Sequence, residues 1–145
     1  QPGFSFVLDL EKVQWEGRKF EGNEIDSAII AWACSFTSNH GGNEVAIAAK
    51  GSLLGVGGGP STVEAAEIAL ERGARYHKDS LDGSVFAADA FFPFEDAPKV
   101  LHKGGCKGGI VPAGGVREQE VKDFFNKNEL NVAFLSGEVR GFCRH

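Results

Sequence analysis

The chain contains no methionine, a single tyrosine and only five prolines among its 145 residues. It begins Gln1-Pro2, without an initiator residue, which reads as a processed piece or a fragment of something longer. Its three cysteines, Cys34, Cys106 and Cys143, are odd in number and widely spaced, with no CxxC pair. A reduced, cytoplasmic setting is therefore expected rather than a disulfide framework. No apolar run approaches the roughly 20 residues needed to span a bilayer, and no basic-then-apolar signal peptide opens the sequence. Positive charge is also short: 15 Lys and Arg against 20 Asp and Glu leave a net charge of −5. No global field draws such a chain to nucleic acid or to an anionic membrane, and the basic–aromatic interleaving of nucleic-acid binders is missing. The four histidines, His40, His77, His102 and His145, have no ligand spacing. Without HxE or PCxxC the zinc chemistry of nucleobase deaminases is not available, and no metal is expected. There is no GxSxG elbow, and no Gly-Lys-Ser/Thr follows a glycine run to make a Walker loop.

What the chain has in excess is glycine, 20 residues, near twice the usual share of about 7%. The clusters at Gly55–Gly59, Gly104–Gly109 and Gly114-Gly115 fall between apolar runs, which predicts turns at element ends and not a flexible linker. A hydrophobic share of 42% beside 24% charged residues is that of a soluble globular protein, and the length most simply makes one domain with a substantial core.

Apolar spacing predicts a helix over Glu24–Phe36, carried by Ile25, Ala28, Ile29, Trp32 and Phe36. A weak alternation over Phe4–Leu10 suggests a first strand. Val45–Ala49 and Leu53–Val56, joined at Lys50-Gly51-Ser52, form an expected hairpin. Ser61-Thr62-Val63-Glu64 is a capping-box pattern that opens a helix running to about Arg72, with Gly73 as its C-terminal cap. A strand over Ser84–Ala90 follows, then a helix over Ala97–Lys103, a short strand over Ile110–Pro112, a helix over Glu118–Lys127 and a strand over Leu130–Leu135. This alternation predicts a layered α/β fold with a mixed or partly parallel sheet. In such folds ligands sit beyond the strand ends at one sheet edge.

Three segments carry candidate chemistry. In the first, Gly55-Val56-Gly57-Gly58-Gly59-Pro60-Ser61, exposed backbone N–H groups would suit a phosphate or carboxylate; the alternative is a tight turn that lets a strand pack close against a helix. The second is Ala88-Asp89-Ala90-Phe91-Phe92-Pro93-Phe94-Glu95-Asp96, a stiff aromatic turn leaving a buried strand. Its rings, held beside carboxylates, suit a flat heterocycle, or else they simply close the core. The third is the tail Arg140-Gly141-Phe142-Cys143-Arg144-His145, where a docked Arg140 would hold a phosphate or carboxylate.

The aromatic segment resembles the Ser-Asp-Ala-Phe-Phe-Pro-Phe-x-Asp motif of aminoimidazolecarboxamide ribonucleotide (AICAR) transformylases, with Ala88 in place of the leading serine. Gly55-Val56-Gly57-Gly58-Gly59 is similar to that family's Gly-Ile-Gly-x-Gly stretch, and Pro112-Ala113-Gly114-Gly115-Val116-Arg117 to its Pro-Gly-Gly-Ser-Ile-Arg stretch. The Arg140–His145 tail is similar to its Arg-x-Phe-Arg-His ending with one residue added. Ala31-Trp32 also resembles part of a family helix. The likeness covers residues 24–145 as a transformylase-like domain, with residues 1–23 as an N-terminal strand and lead-in.

The resemblance implies a cytidine-deaminase-like layered α/β domain. It further implies AICAR formyltransferase activity in de novo purine biosynthesis, with 10-formyltetrahydrofolate as co-substrate, a small-molecule nucleotide as acceptor, and a homo- or hetero-oligomer as the working form. Phe91 and Phe94 would pack near the substrate imidazole and the folate, Asp96 would contact the pterin side, Arg140 would help hold the nucleotide, and Gly57 would line its site. The family asparagine has two matches: Ser38-Asn39 by motif, and Asn43 by its spacing to Gly55, which is preferred as the catalytic residue. The family assigns its proton transfers to an earlier Lys-His pair, and no equivalent precedes Glu24. Its Gln-x-Ser-Arg stretch has become Pro60-Ser61-Thr62-Val63. The implied site is therefore one completed by a second chain or segment; the alternative is a non-catalytic nucleotide- or folate-binding regulatory module.

Overall fold

A computed structural model describes residues 8–37 and 43–136. Arg140, Asn39, the rest of the cationic tail and most of the expected first strand lie outside the described residues.

Among the described residues, six strands form one mixed sheet: β1 (Gln14–Glu16), β2 (Asn43–Ala49), β3 (Ser52–Gly59), β4 (Ser84–Ala88), β5 (Cys106–Pro112) and β6 (Asn131–Leu135), in the spatial order β1-β6-β5-β4-β2-β3. β4, β5 and β6 run parallel, whereas the β2–β3, β2–β4 and β1–β6 pairs are antiparallel. Among the described residues, four α-helices cover it: α1 (Asn23–Thr37), α2 (Thr62–His77), α3 (Asp96–Lys103) and α4 (Glu118–Lys127). The layered α/β architecture with a partly parallel sheet is the one expected from the alternation of elements.

Strand side chains alternate between two cores. Val45, Ile47, Phe86, Val111, Val132 and Phe134 face α2, α3 and α4, while Ala46, Ala48, Val85, Ala87, Ile110 and Ala133 face α1. The residues facing α1 are mostly small, which lets Trp32 and Phe20 fill the space beneath that single helix.

The hairpin forms as expected. Lys50 and Gly51 take left-handed φ values of 53° and 75°, the twist that a two-residue connection requires. Ser61 caps α2, its Oγ accepting from Glu64 N at 3.2 Å.

Four expectations are corrected. Among the described residues the first strand is Gln14–Glu16, and Leu8–Leu10, the described part of the expected Phe4–Leu10 strand, is not in a strand; Leu8, Leu10, Val13 and Trp15 pack together against the α1-side core. Gly55–Gly59 is not a turn but the second half of β3. Helix α2 continues past Gly73 to His77, because Gly73 is buried where a side chain would meet Leu81. Strand β5 begins at Cys106 and contains Gly108 and Gly109. A Cβ on Gly109 would enter the Phe86 ring and one on Gly108 the backbone of Asn131, so these glycines make room for neighbours inside the sheet.

Candidate ligand-binding edge of the sheet

Strand direction decides what gathers at one edge. The carboxyl ends of β3, β4, β5 and β6 and the start of β2 all lie there, since Asn43 pairs with Gly59, Val45 with Ala88, and Pro112 with Leu135. The aromatic turn and the glycine turn after β5 leave from this edge.

Phe92 anchors the aromatic turn. Its ring is buried against Phe86 and Phe125, with centroids 5.8 and 6.5 Å apart. The neighbouring rings point the other way: Phe91 is 36% exposed and Phe94 51%. One phenylalanine thus closes the core, and two stand out from it. Phe91 lies over the glycine turn, where a Cβ on Gly115 would come within 2.8 Å of its ring. Gly114 and Gly115 have φ of 116° and 97°, values that side-chain-bearing residues rarely adopt. Glu118 secures this turn by accepting from Gly114 N at 2.8 Å, and Ala113 N donates to Leu135 O at 2.7 Å.

Phe94 opens a groove of about 700 Å³ between α3 and α4, whose walls include Asp96, Lys99, Arg117, Glu120 and Phe124. The Arg117 guanidinium carbon stands 5.3 Å from the Phe94 ring centroid. Lys99 Nζ reaches Glu95 at 2.7 Å, and Arg117 reaches Glu120 at 3.3 Å. Asp96 is exposed in the first turn of α3. Aromatic faces alternating with cations and carboxylates suit a planar ligand that carries both donors and acceptors.

Beside this groove the edge is braced by polar contacts. The Asn43 Nδ2 group donates to Pro60 O at 3.1 Å, tying the start of β2 to the exit of β3. Asp89 accepts from Glu44 N at 2.9 Å and returns its own N–H to Glu44 O at 3.2 Å. Glu44 is buried, its carboxylate occupying the space a side chain on Gly58 would need. Gly57 serves packing instead. A Cβ there would enter the backbone of α2 at Ala65 and Ala69, so its absence lets the helix sit directly on β3.

Phe91, Phe94, Asp96 and Asn43 thus share one edge, Gly57 lies within β3 under α2, and Arg140 falls outside the described residues. Sequence reasoning missed Glu44, Asp89 and Arg117 as parts of this edge. Glu44 carried a usable signal, being the one charge at the head of an apolar strand and paired in register with Gly58. Among the described residues, no three His, Cys, Asp or Glu side chains are grouped to hold a metal ion, and no helix is long and apolar enough to cross a membrane.

No protein-family model matches the chain. Curated proteins do. The bifunctional purine biosynthesis protein PurH of Lactobacillus delbrueckii subsp. bulgaricus is 35% identical over 144 residues, 96% of this chain and 26% of that protein. PurH of Aquifex aeolicus is 33% identical over 118 residues, 81% of this chain and 23% of that protein. PurH of Mycobacterium leprae is 41% identical over 116 residues, 79% of this chain and 20% of that protein. The chain belongs to the PurH family. It spans about a quarter of the length of the curated PurH proteins it matches.

Proposed function

We propose that this PurH-family chain serves purine biosynthesis as an AICAR formyltransferase-type domain, transferring formyl from 10-formyltetrahydrofolate to the exocyclic amine of the ribonucleotide. The observation that carries the reading is the pair Phe91 and Phe94, held outward by buried Phe92 at the strand-end edge beside the α3–α4 groove. The groove and its ring faces are large enough for a heterocycle, and Asp96 and Arg117 offer the polar partners a pterin or imidazole would take.

In the reaction a C–N bond forms between the attacking amine and the formyl carbon while the bond from that carbon to the folate nitrogen breaks. A proton leaves the amine, and one reaches the departing nitrogen. Phe91 and Phe94 hold the two flat reactants, Asp96 accepts from the pterin side, Asn43 stands at the mouth of β2 near the reacting groups, and Arg140 binds the nucleotide phosphate. Gly57 contributes by letting α2 approach β3. In this reading a second chain or a further segment supplies the proton-transfer groups, and the working form is a homo- or hetero-oligomer. The same reading implies a cytoplasmic protein acting on a small-molecule nucleotide, without nucleic acid or membrane.

The test is to incubate the purified chain with AICAR and 10-formyltetrahydrofolate, alone and with a chain supplying a Lys-His pair, and to follow tetrahydrofolate release. Turnover in either mixture supports the reading, and its absence from both refutes the enzymatic part. A second reading, a nucleotide- or folate-binding regulatory module, is favoured by the engagement of Asn43 with Pro60. Calorimetric binding of either reactant without turnover selects that module.

A further inference from the structure

The edge of the sheet opposite the aromatic turn holds a cavity of its own. It has a volume of about 220 Å³ and lies where β2 turns into β3 and where β4 and β5 begin, beside the first turns of α1. Its polar wall is rich in donors. Ser27 is 2% exposed, and its Oγ already accepts from Gly51 N at 2.9 Å, so its own O–H is left to donate. Lys50, set at the hairpin tip by a left-handed φ of 53°, makes no ion pair among the described residues. Lys107 and Ser80 line the cavity from β5 and from the turn before β4. Of the two carboxylates on the wall, Glu24 is engaged by Arg18 at 2.9 Å and by Lys107 at 2.8 Å, and Asp82 is exposed to solvent. Arg18, Lys50 and Lys107 against Glu24 and Asp82 leave one positive charge in excess.

We infer that this cavity is a second ligand site, separate from the strand-end edge, and that it takes the phosphate group of free phosphate or of a small phosphate monoester. Donors line it from four elements: Ser27 from α1, Lys50 from the hairpin, Ser80 from the turn before β4 and Lys107 from β5. A tetrahedral phosphate presents acceptor oxygens in all those directions, whereas a carboxylate offers its two in a single plane. The site is also held in shape before a ligand arrives. The Ser27–Gly51 bond ties the hairpin tip to α1. Gly83 N donates to Gly105 O at 2.8 Å, joining the approaches to β4 and β5. Little ordering is therefore left to oppose binding. The volume exceeds that of a bare phosphate and leaves room for a short substituent.

Two-dimensional NMR of the full chain, titrated with inorganic phosphate, glycerol 3-phosphate and acetate, tests this. Saturable shifts of the Ser27, Gly51 and Gly83 amides with at least one of the phosphates, at concentrations where acetate gives none, are the expected result. The tighter of the two shows whether free or esterified phosphate is the better fit. Lys50→Gln is expected to weaken binding about threefold to fivefold with an unchanged melting temperature. Lys103→Gln, which removes an exposed charge that does not line the cavity, is expected to leave binding as it is. No saturable shift at these amides, shifts equalled by acetate, or a Lys103→Gln effect as large as that of Lys50→Gln overturns the inference.

Discussion

The Phe91 ring rests on Gly115, so close that a single added methyl group would come within 2.8 Å of it. This contact joins two segments that lie far apart in sequence, the aromatic turn after β4 and the glycine turn after β5, into one wall. Gly115→Ala therefore acts twice, forcing a side chain to φ of 97° and lifting the Phe91 ring from its seat. The backbone strain alone costs about 1–3 kcal/mol. Thermal unfolding is expected to show that loss, and calorimetry with AICAR or 10-formyltetrahydrofolate a weaker affinity than wild type.

Arg117 and Phe94 line the α3–α4 groove. An exposed cation–ring contact is worth about 0.5–1 kcal/mol, so Arg117→Ala is expected to weaken ligand binding only a few-fold. Phe94→Ala removes a ring face outright and is expected to weaken it about tenfold, since stacking a flat base on an aromatic ring contributes about 1–3 kcal/mol. Neither change is expected to lower the melting temperature much, because both side chains are exposed. Titration of the two variants against the same ligand checks the ranking.

Gly57 separates packing from binding. Gly57→Ala drives a methyl group into the α2 backbone at Ala65 and Ala69, and overpacking of this kind costs about 1–3 kcal/mol or more. Chemical denaturation is expected to show that loss. A variant of wild-type stability that had lost ligand affinity would instead make Gly57 a contact residue.

At the far edge of the sheet Glu24 accepts both Arg18 guanidinium nitrogens, at 2.9 and 3.1 Å, and lies 2.8 Å from Lys107. Arg18, followed by Lys107 and the Glu21 N–H, holds its carboxyl down from 4.5 to about 2 against the opposing effect of burial. The folded state thus binds the Glu24 proton less tightly than the unfolded chain. Its contribution is complete above about pH 4.5 and disappears as pH falls toward 2. Glu24→Gln is expected to lose about 2 kcal/mol near neutrality, after allowing for the half-exposed partners. Denaturant titrations of both proteins from pH 7 to pH 3 should show the gap narrowing on the acid side.

Much of the fold was legible because periodicity and turn chemistry agreed. The Lys50-Gly51 hairpin, the Ser61 cap and the two β–α units and closing strand from Ser84 onward all follow from local pattern. The glycine stretches misled for one physical reason. Gly55, Gly57, Gly108 and Gly109 suggest backbone freedom when read locally, whereas each removes a Cβ that a neighbouring helix, strand or ring would strike, a tertiary requirement that local sequence does not display. Gly73 within α2 has the same origin. At the candidate edge the aromatic motif pointed to Phe91, Phe94 and Asp96. The Glu44–Asp89 brace joins residues 45 apart, and Arg117 meets Phe94 across the groove, so neither was visible in any local window.

The central claim is that the outward rings of the aromatic turn bind a heterocyclic reactant of purine synthesis. Isothermal titration of AICAR and of 10-formyltetrahydrofolate into wild-type chain and into the Phe91→Ala/Phe94→Ala double variant tests it most directly. Saturable binding of at least one reactant by wild type, lost in a double variant that keeps its native melting temperature, is the predicted result. No binding of either reactant, or binding that the double variant retains, would contradict it.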